Sequence, residues 1–331
     1  MTAIVTVAGL DEQRLTWVAD LYGNADPKYL DRAFLEHLFL QNPVGPSLHA
    51  FAVDGERPVG HCCVVRTNAR VGSADLPAGK LEALWIEASH RRQRGPHGAT
   101  LVRTMLDRLY AFSDANGIRL VHALATPRIG RVIAFTPLLP VGERSRVGVA
   151  AGNSPAATSL GLVQRALREA GAAPLGPVSL RPATEADADL ADVPVPAEGR
   201  WTIVAGDAWD WYRASPLIRV LELESCRALV QLPASPHEPL RIVGWRSERP
   251  GVRAGLKLLA AAGRLARAKG AATLRFQPWD GPAGDGSLGR ACRLAGLVPR
   301  DDLTTVWVHS PDRELVRPEA AVSSPFLYLG F

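Results

Sequence analysis

The stretch from Leu81 to Leu106 constrains this chain more than any other part of it. An apolar run, Leu81-Glu-Ala-Leu-Trp-Ile86, leads into a basic loop that carries glycines, Glu87-Ala-Ser-His-Arg-Arg-Gln-Arg-Gly-Pro-His-Gly98. Apolar residues then recur at helical spacing through Leu101, Met105, Leu106, Leu109 and Phe112. The pattern predicts a strand, a turn and an amphipathic helix in direct succession. Such a turn aims free backbone N–H groups and the positive end of the helix dipole at one point, an anion site best matched to phosphate. Arg91, Arg92, Arg94 and His97 add charge there. A phosphorylated donor is the expected ligand.

The chain has 331 residues, more than one ordinary core absorbs, so two domains are expected. It is 47% hydrophobic and 21% charged, a globular rather than a disordered composition. No run approaches the ~18 apolar residues of a membrane span. The start, Met1-Thr-Ala-Ile-Val-Thr-Val, lacks the basic and long apolar regions of a signal peptide. Cys62, Cys63, Cys226 and Cys292 show neither metal-ligand spacing nor a disulfide framework, so no metal and a reducing, cytoplasmic setting are expected. The net charge of +5 and pI of about 9.3 suit a polyanionic ligand such as a nucleotide cofactor, and are compatible with RNA.

Ile4 to Ala8 reads as a strand, and Asp11 caps a helix to Tyr22. Asp26-Pro27 opens a second helix to Leu40, which Asn42-Pro43 and Gly45-Pro46 end. Leu48–Val53 and Val59–Val65 form a hairpin about Asp54-Gly55, followed by the strand 81–86, a helix over 98–113 and a strand over 120–125. This βααβββαβ order resembles the core of the GNAT superfamily of N-acetyltransferases. The segments Phe34-Leu-Glu-His-Leu-Phe-Leu-Gln-Asn-Pro-Val-Gly45 and Pro58-Val-Gly60 are similar to bacterial members with a tandem layout. The resemblance covers residues 1–147.

Residues 148–200 read as a connector with one helix over 159–170. Residues 201–331 repeat the theme: strands at 201–205, 217–223, 227–232, 240–245, 273–277 and 304–309, a long helix ending at Lys269-Gly270, and a short one over 288–295 before Gly296-Leu-Val-Pro299. The expected fold is α/β with a mixed sheet, as two tandem GNAT-like domains of which the second is degenerate. An unrelated α/β lobe is the alternative for the second half.

The resemblance implies an acyl-coenzyme A donor, acetyl-CoA first, with its pyrophosphate on the loop after the fourth strand. Leu84, Trp85, Ile86, Arg91, Arg92, Arg94, Gly95, His97, Gly98, Ala99 and Thr100 are the matching donor contacts. The loop departs from the family's Arg/Gln-x-x-Gly-x-Gly/Ala pattern: His97 stands where a glycine belongs, and Pro96 removes one N–H. The three arginines can replace lost amide contacts with charge-assisted bonds. In the second half, Arg246-Ser-Glu-Arg-Pro-Gly-Val-Arg253 carries Glu248 and no glycine pair, so no donor is expected there.

Glu82 occupies the strand position where the superfamily often carries its general base, with Glu87 as the second candidate. Strict alternation groups Glu82, Leu84 and Ile86 on one strand face, and Ala83 and Trp85 on the other. The leaving-group tyrosine usual in the family is missing from Thr126-Pro-Arg-Ile-Gly-Arg-Val-Ile-Ala-Phe135. His122, in an apolar strand, reads as a core histidine, and Cys62 and Cys63 as small core residues. Trp245, Arg246 and Trp279 are candidate walls of an acceptor cleft between the copies.

Three functions stay open at this point. One is an N-acyltransferase that moves an acyl group from acyl-CoA to the amine of a small molecule, as in specialised metabolism. Another is an aminoacyl-tRNA-dependent transferase of the Fem type, favoured by the eroded loop and the basic pI. A third is a non-catalytic binding module. Neither membrane association nor a particular oligomeric state follows from the residues.

Overall fold

The computed structural model describes residues 2–23, 26–93, 99–125, 139–147, 178–191, 196, 198, 200–224, 226–234, 238–249, 251–271, 273–276, 291 and 300–317. Arg94, Gly95, His97, Gly98, Trp279, Cys292, the segment 126–135 and the helices expected over 159–170 and 288–295 lie outside these, apart from Ala291.

The first half runs β1 (Ala3–Ala8), α1 (Glu12–Tyr22), α2 (Arg32–Phe39), β2 (Leu48–Asp54), β3 (Arg57–Val71), β4 (Ala74–Ile86), α3 (Leu101–Ala115), β5 (Leu120–Ala125) and β6 (Leu139–Val147). The second runs β7 (Val178–Pro182), β8 (Trp201–Val204), α4 (Trp209–Ala214), β9 (Ile218–Leu223), β10 (Cys226–Gln231), β11 (Pro239–Ser247), α5 (Val252–Ala268), β12 (Thr273–Phe276) and β13 (Arg300–His309).

Local chemistry sets many of these bounds. The Asp11 carboxylate accepts from the Arg14 amide at 2.8 Å and starts α1, and Asp31 accepts from the Ala33 amide at 2.9 Å and starts α2. Gly55 and Gly72, at φ 62° and 56°, supply the left-handed positions that close the β2–β3 and β3–β4 hairpins. β3 and β4 reach well beyond the expected 59–65 and 81–86. Their polar outer residues, such as Arg70 and Asp75, pair across the hairpin at 2.9 Å.

Two mixed sheets result. The first has the order β1-β2-β3-β4-β5-β13-β6, with β8 on the far end of β3; the second has the order β12-β11-β10-β9-β7. In the first, β2, β3 and β4 are antiparallel neighbours, and β4 reaches the parallel β5 through α3. The second repeats this: β9, β10 and β11 are antiparallel, and β11 reaches the parallel β12 through α5. β1 adds antiparallel to β2 as β7 does to β9.

The second half therefore contains the strand-helix-strand crossover expected of a repeat, but its strands are not all its own. β7, inside the stretch read as connector, begins the second sheet. β8 and β13, read as second-half strands, belong to the first sheet. β2 pairs with β3 only as far as Val64, which leaves residues 68–71 of β3 to β8. β5 leaves β4 after His122, and its other edge takes β13 over 305–309.

Packing forms five layers. α3 covers one face of the first sheet, through Leu101, Met105, Leu106 and Leu109 against Leu48, Ala50, Cys62 and Val64. α5 covers one face of the second, through Leu258, Leu259, Ala262 and Ala266. The inner faces share one core with α1, α2 and α4, where Phe51, Val65 and Trp201 meet Trp211, Val220 and Val243. The Trp211 indole also donates to the His37 carbonyl at 2.7 Å.

Among their irregularities, the two sheets share one bulge at a corresponding place. Ala83 is the extra residue of β4 between Glu82 and Leu84; Val243 is the extra residue of β11 between Ile242 and Gly244. In the second copy the chain closes over the bulge: a Cβ on Gly244 would lie 1.9 Å from the Leu190 carbonyl oxygen. Gly244→Ala is expected to cost about 3 kcal/mol by overpacking, a lowered denaturation midpoint with little change in slope.

Candidate active site

β4 is the element that matters most. Its parallel pairing with β5 covers only Ala78–Lys80 against Leu120–His122. Beyond that point β5 parts from β4 while keeping β13 on its other edge, and the β4 edge from Leu81 to Ile86 has no strand partner among the described residues. The two strands splay beside the bulge. Ala83, at φ 53°, is a non-glycine residue held in the left-handed region, a strained conformation that recurs at functional sites. An open strand edge presents N–H and C=O groups to an extended ligand that carries amides of its own.

The bulge also redistributes side chains. Leu81, Leu84 and Ile86 pack toward α3, while Ala83 and Trp85 join the shared core. Strict alternation had put Glu82 with Leu84 and Ile86; the extra residue puts it instead beside Lys80, whose ammonium lies 2.7 Å from the Glu82 carboxylate. The carboxylate thus has a cation, rather than apolar groups, as its neighbour. The Glu82 side chain keeps 14% of its surface exposed and Lys80 only 6%, so the pair is nearly enclosed but reachable at the carboxylate end. Burial pushes the Lys80 ammonium below its ordinary range, and Glu82 opposes that.

Both halves contribute to the surroundings. Lys28, beside Asp26 at 3.3 Å, reaches Glu238 at 3.7 Å from the connection before β11. Tyr29 lies against the same charges: burial first, then Glu82, raises its phenol well above the ordinary value. Arg241 of β11, held 3.0 Å from Gln231, acts electrostatically on Lys80. Glu82 therefore sits among groups that a polar acceptor can engage, where the two copies meet.

The other candidates are placed as follows. Glu87 forms a two-pronged pair with Arg57 at 2.8 and 2.7 Å near the surface. Arg91 donates to the Ile86 carbonyl at 2.9 Å, and its guanidinium lies 5.1 Å from the Trp85 ring centre. Arg92 is exposed. Thr100 caps α3, accepting from the Arg103 amide at 3.3 Å. Trp245 packs with the core under α5, and Arg246 donates to the Asp189 carbonyl at 2.8 Å, so neither faces Glu82's neighbours. His122 is wholly buried, and burial lowers it to about 3.

No family model matches the sequence, and no curated protein matches it significantly. Solved structures do. A tandem GNAT protein from the clavulanic acid biosynthesis pathway superposes with a TM-score of 0.56 over 94% of this chain and 98% of its own, at 13% identity. The chain has the tandem GNAT fold. Saccharomyces cerevisiae N-myristoyltransferase with bound myristoyl-CoA matches at TM-score 0.57 and 11% identity over 98% of this chain and 90% of its own. A GCN5-related N-acetyltransferase from Kribbella flavida matches at 0.51 and 13% over 96% and 74%. In this fold the helix after β4 and the loop before it are the ones singled out in the sequence. The bulge and the β4–β5 splay, which no composition or motif marks, complete the frame. Among the described residues no helix is long and apolar enough to cross a membrane.

Proposed function

We propose that this chain is an acyl-CoA-dependent N-acyltransferase, with acetyl-CoA the first donor to test and the amine of a small molecule as acceptor. The observation that carries this reading is the open β4 edge beside the bulge at Ala83, with Glu82 on the other side of the same turn of strand. An extended pantetheine carries two amides that match such an edge. The arginine-bearing loop before α3 takes the phosphates, with Arg92 and Arg94 making charge-assisted bonds to them. Leu84, Trp85 and Ile86 line the donor's path, and Arg91 fixes Trp85 there.

In the reaction the amine nitrogen attacks the thioester carbonyl carbon, the C–S bond breaks and coenzyme A leaves as the thiolate, which takes its proton from water while Glu82 later returns the amine's proton to solvent. Glu82 takes the amine proton, directly or through a water, while Lys80 orients the carboxylate. Main-chain N–H groups of the bulge polarise the carbonyl. The groups around Lys28, Tyr29, Glu238 and Arg241 bind the acceptor. The second copy, closed by Leu190, serves as a wall.

Thermal melting with coenzyme A is the direct test, because a ligand selective for the folded state raises stability by mass action. The native chain is expected to melt higher with coenzyme A. The Arg92→Ala/Arg94→Ala double variant should lose roughly 2–4 kcal/mol of donor affinity. A native chain indifferent to coenzyme A that binds tRNA with steep salt dependence would instead support the aminoacyl-tRNA reading.

A further inference from the structure

Beneath the Glu82 strand lies a buried cluster that the proposed reaction does not use. His49 on β2 and Cys63 on β3 are cross-strand partners, and His61, two residues before Cys63, shares their face. All three residues are fully buried. His49 Nδ1 and His61 Nε2 lie 2.9 Å apart, and each histidine places a ring nitrogen within 4.8 Å of the other's and of Cys63 Sγ. The cluster is set by the β2–β3 register: the hairpin at Asp54-Gly55 aligns Val53 with Pro58, and the extra residue Val59 then shifts the pairing by one, so that Ala52 faces Gly60 and His49 faces Cys63. Cys62 points to the opposite face, under α3.

The outer nitrogens are anchored as a metal site requires. His49 Nε2 is 2.7 Å from Ser47 Oγ, and that hydroxyl has the Phe39 carbonyl at 3.4 Å. His61 Nδ1 is 3.1 Å from the Tyr22 hydroxyl, which donates to the His61 carbonyl at 3.0 Å. Each hydroxyl can pass its own proton to a carbonyl and accept the imidazole N–H. In that tautomer both inner nitrogens offer lone pairs to a cation; without one, a proton bridges them at 2.9 Å. Imidazoles held by their far N–H groups in this way are the usual outer support of metal ligands.

We propose that His49, His61 and Cys63 bind a closed-shell thiophilic cation, zinc(II) or copper(I), between β2 and β3. Two imidazoles and one thiolate without hard oxygen donors select that class over magnesium or calcium. Cys63 gives up its thiol proton on binding. Copper(I) is satisfied by three donors and leaves the site neutral. Zinc(II) calls for a fourth ligand, and the Glu82 carbonyl, which accepts from Cys63 Sγ at 3.0 Å, is an oxygen at hand. In either case the cation ties β2 to β3 directly opposite the β4 bulge, since Cys63 is the strand partner of Glu82.

The test uses the full chain. It is unfolded, refolded separately with zinc sulfate and, anaerobically, with copper(I), then desalted and assayed for bound metal by mass spectrometry. The native chain and Cys62→Ala are expected to retain about one cation per chain and to melt higher than without it. Cys63→Ala is expected to retain almost none, with unchanged circular dichroism. Refolding with cobalt(II) should give a thiolate-to-metal charge-transfer band in the native chain, which settles the point without any variant. The proposal is overturned if the native chain retains no more metal than Cys63→Ala, or if Cys62→Ala loses metal equally. In that event the histidines form a hydrogen-bonded chain from Ser47 to Tyr22 and nothing more.

Discussion

Glu82→Gln is expected to lower turnover by about 10²–10⁴-fold at neutral pH while leaving coenzyme A binding nearly unchanged. The substitution keeps the side-chain shape and removes the group proposed to accept the amine proton. It also leaves the nearly enclosed Lys80 ammonium without its carboxylate at 2.7 Å, so some loss of stability accompanies the loss of rate. The two effects separate experimentally. Coenzyme A should raise the melting temperature of the variant by the same increment as that of the native chain, from a lower starting point. Native turnover in the folded variant would reassign Glu82 to holding Lys80.

Asp187→Asn is expected to destabilise the chain by about 3 kcal/mol at neutral pH, read from chemical denaturation. The Asp187 side chain is wholly buried in the turn after β7 and accepts from Arg181 at 2.7 and 2.9 Å and from Arg227 at 3.0 Å. It also accepts from the Thr184 amide and hydroxyl at 2.9 and 2.8 Å. The Arg181 bonds, chiefly, hold its carboxyl well below the ordinary value of 3.8. A depressed carboxyl contributes stability that is fully present above the ordinary carboxylate range and is lost as pH falls toward the folded-state value. The gap between native and variant should therefore close on acidification below about pH 4. A gap independent of pH would mean that Asp187 acts by shape alone.

The parts legible in the sequence are those written in neighbouring residues. The switch from period two to helical spacing across Leu81–Leu106 marked β4 and α3, and Asp54-Gly55 marked the β2–β3 turn. Asp11, ahead of an apolar stripe at Leu15, Val18 and Tyr22, marked α1. The second crossover was visible because Leu240–Trp245, the Ala- and Leu-rich helix and Thr273–Gln277 stand in the same order.

What stayed hidden depends on partners far away in the chain. Arg66–Arg70 looks like loop because its polar side chains are read alone, yet β4 and β8 pair with it as strand. The bulge at Ala83 follows from how β3 and β4 register, and a single inserted residue reverses the faces of everything before it, Glu82 included. His49, His61 and Cys63 lack the short spacing of a familiar metal motif. The register implied by the Asp54-Gly55 turn alone sets His49 opposite Cys62; the bulge at Val59 shifts the pairing by one residue and brings the three together, and no residue pattern announces it.

The placement of β13 has a consequence for how the molecule comes into being. Val121–Ala125 of β5 waits for Thr305–His309, roughly nine-tenths of the way along the sequence. A ribosome that has released the first 147 residues has still not made the strand that covers the outer edge of β5. Until then that edge stands exposed, a state prone to mispairing with other chains. Contacts so distant in sequence also slow folding, because the loop between them must be closed first. Synthesis rate and chaperone supply, more than the stability of the finished fold, should then set how much native protein a cell obtains.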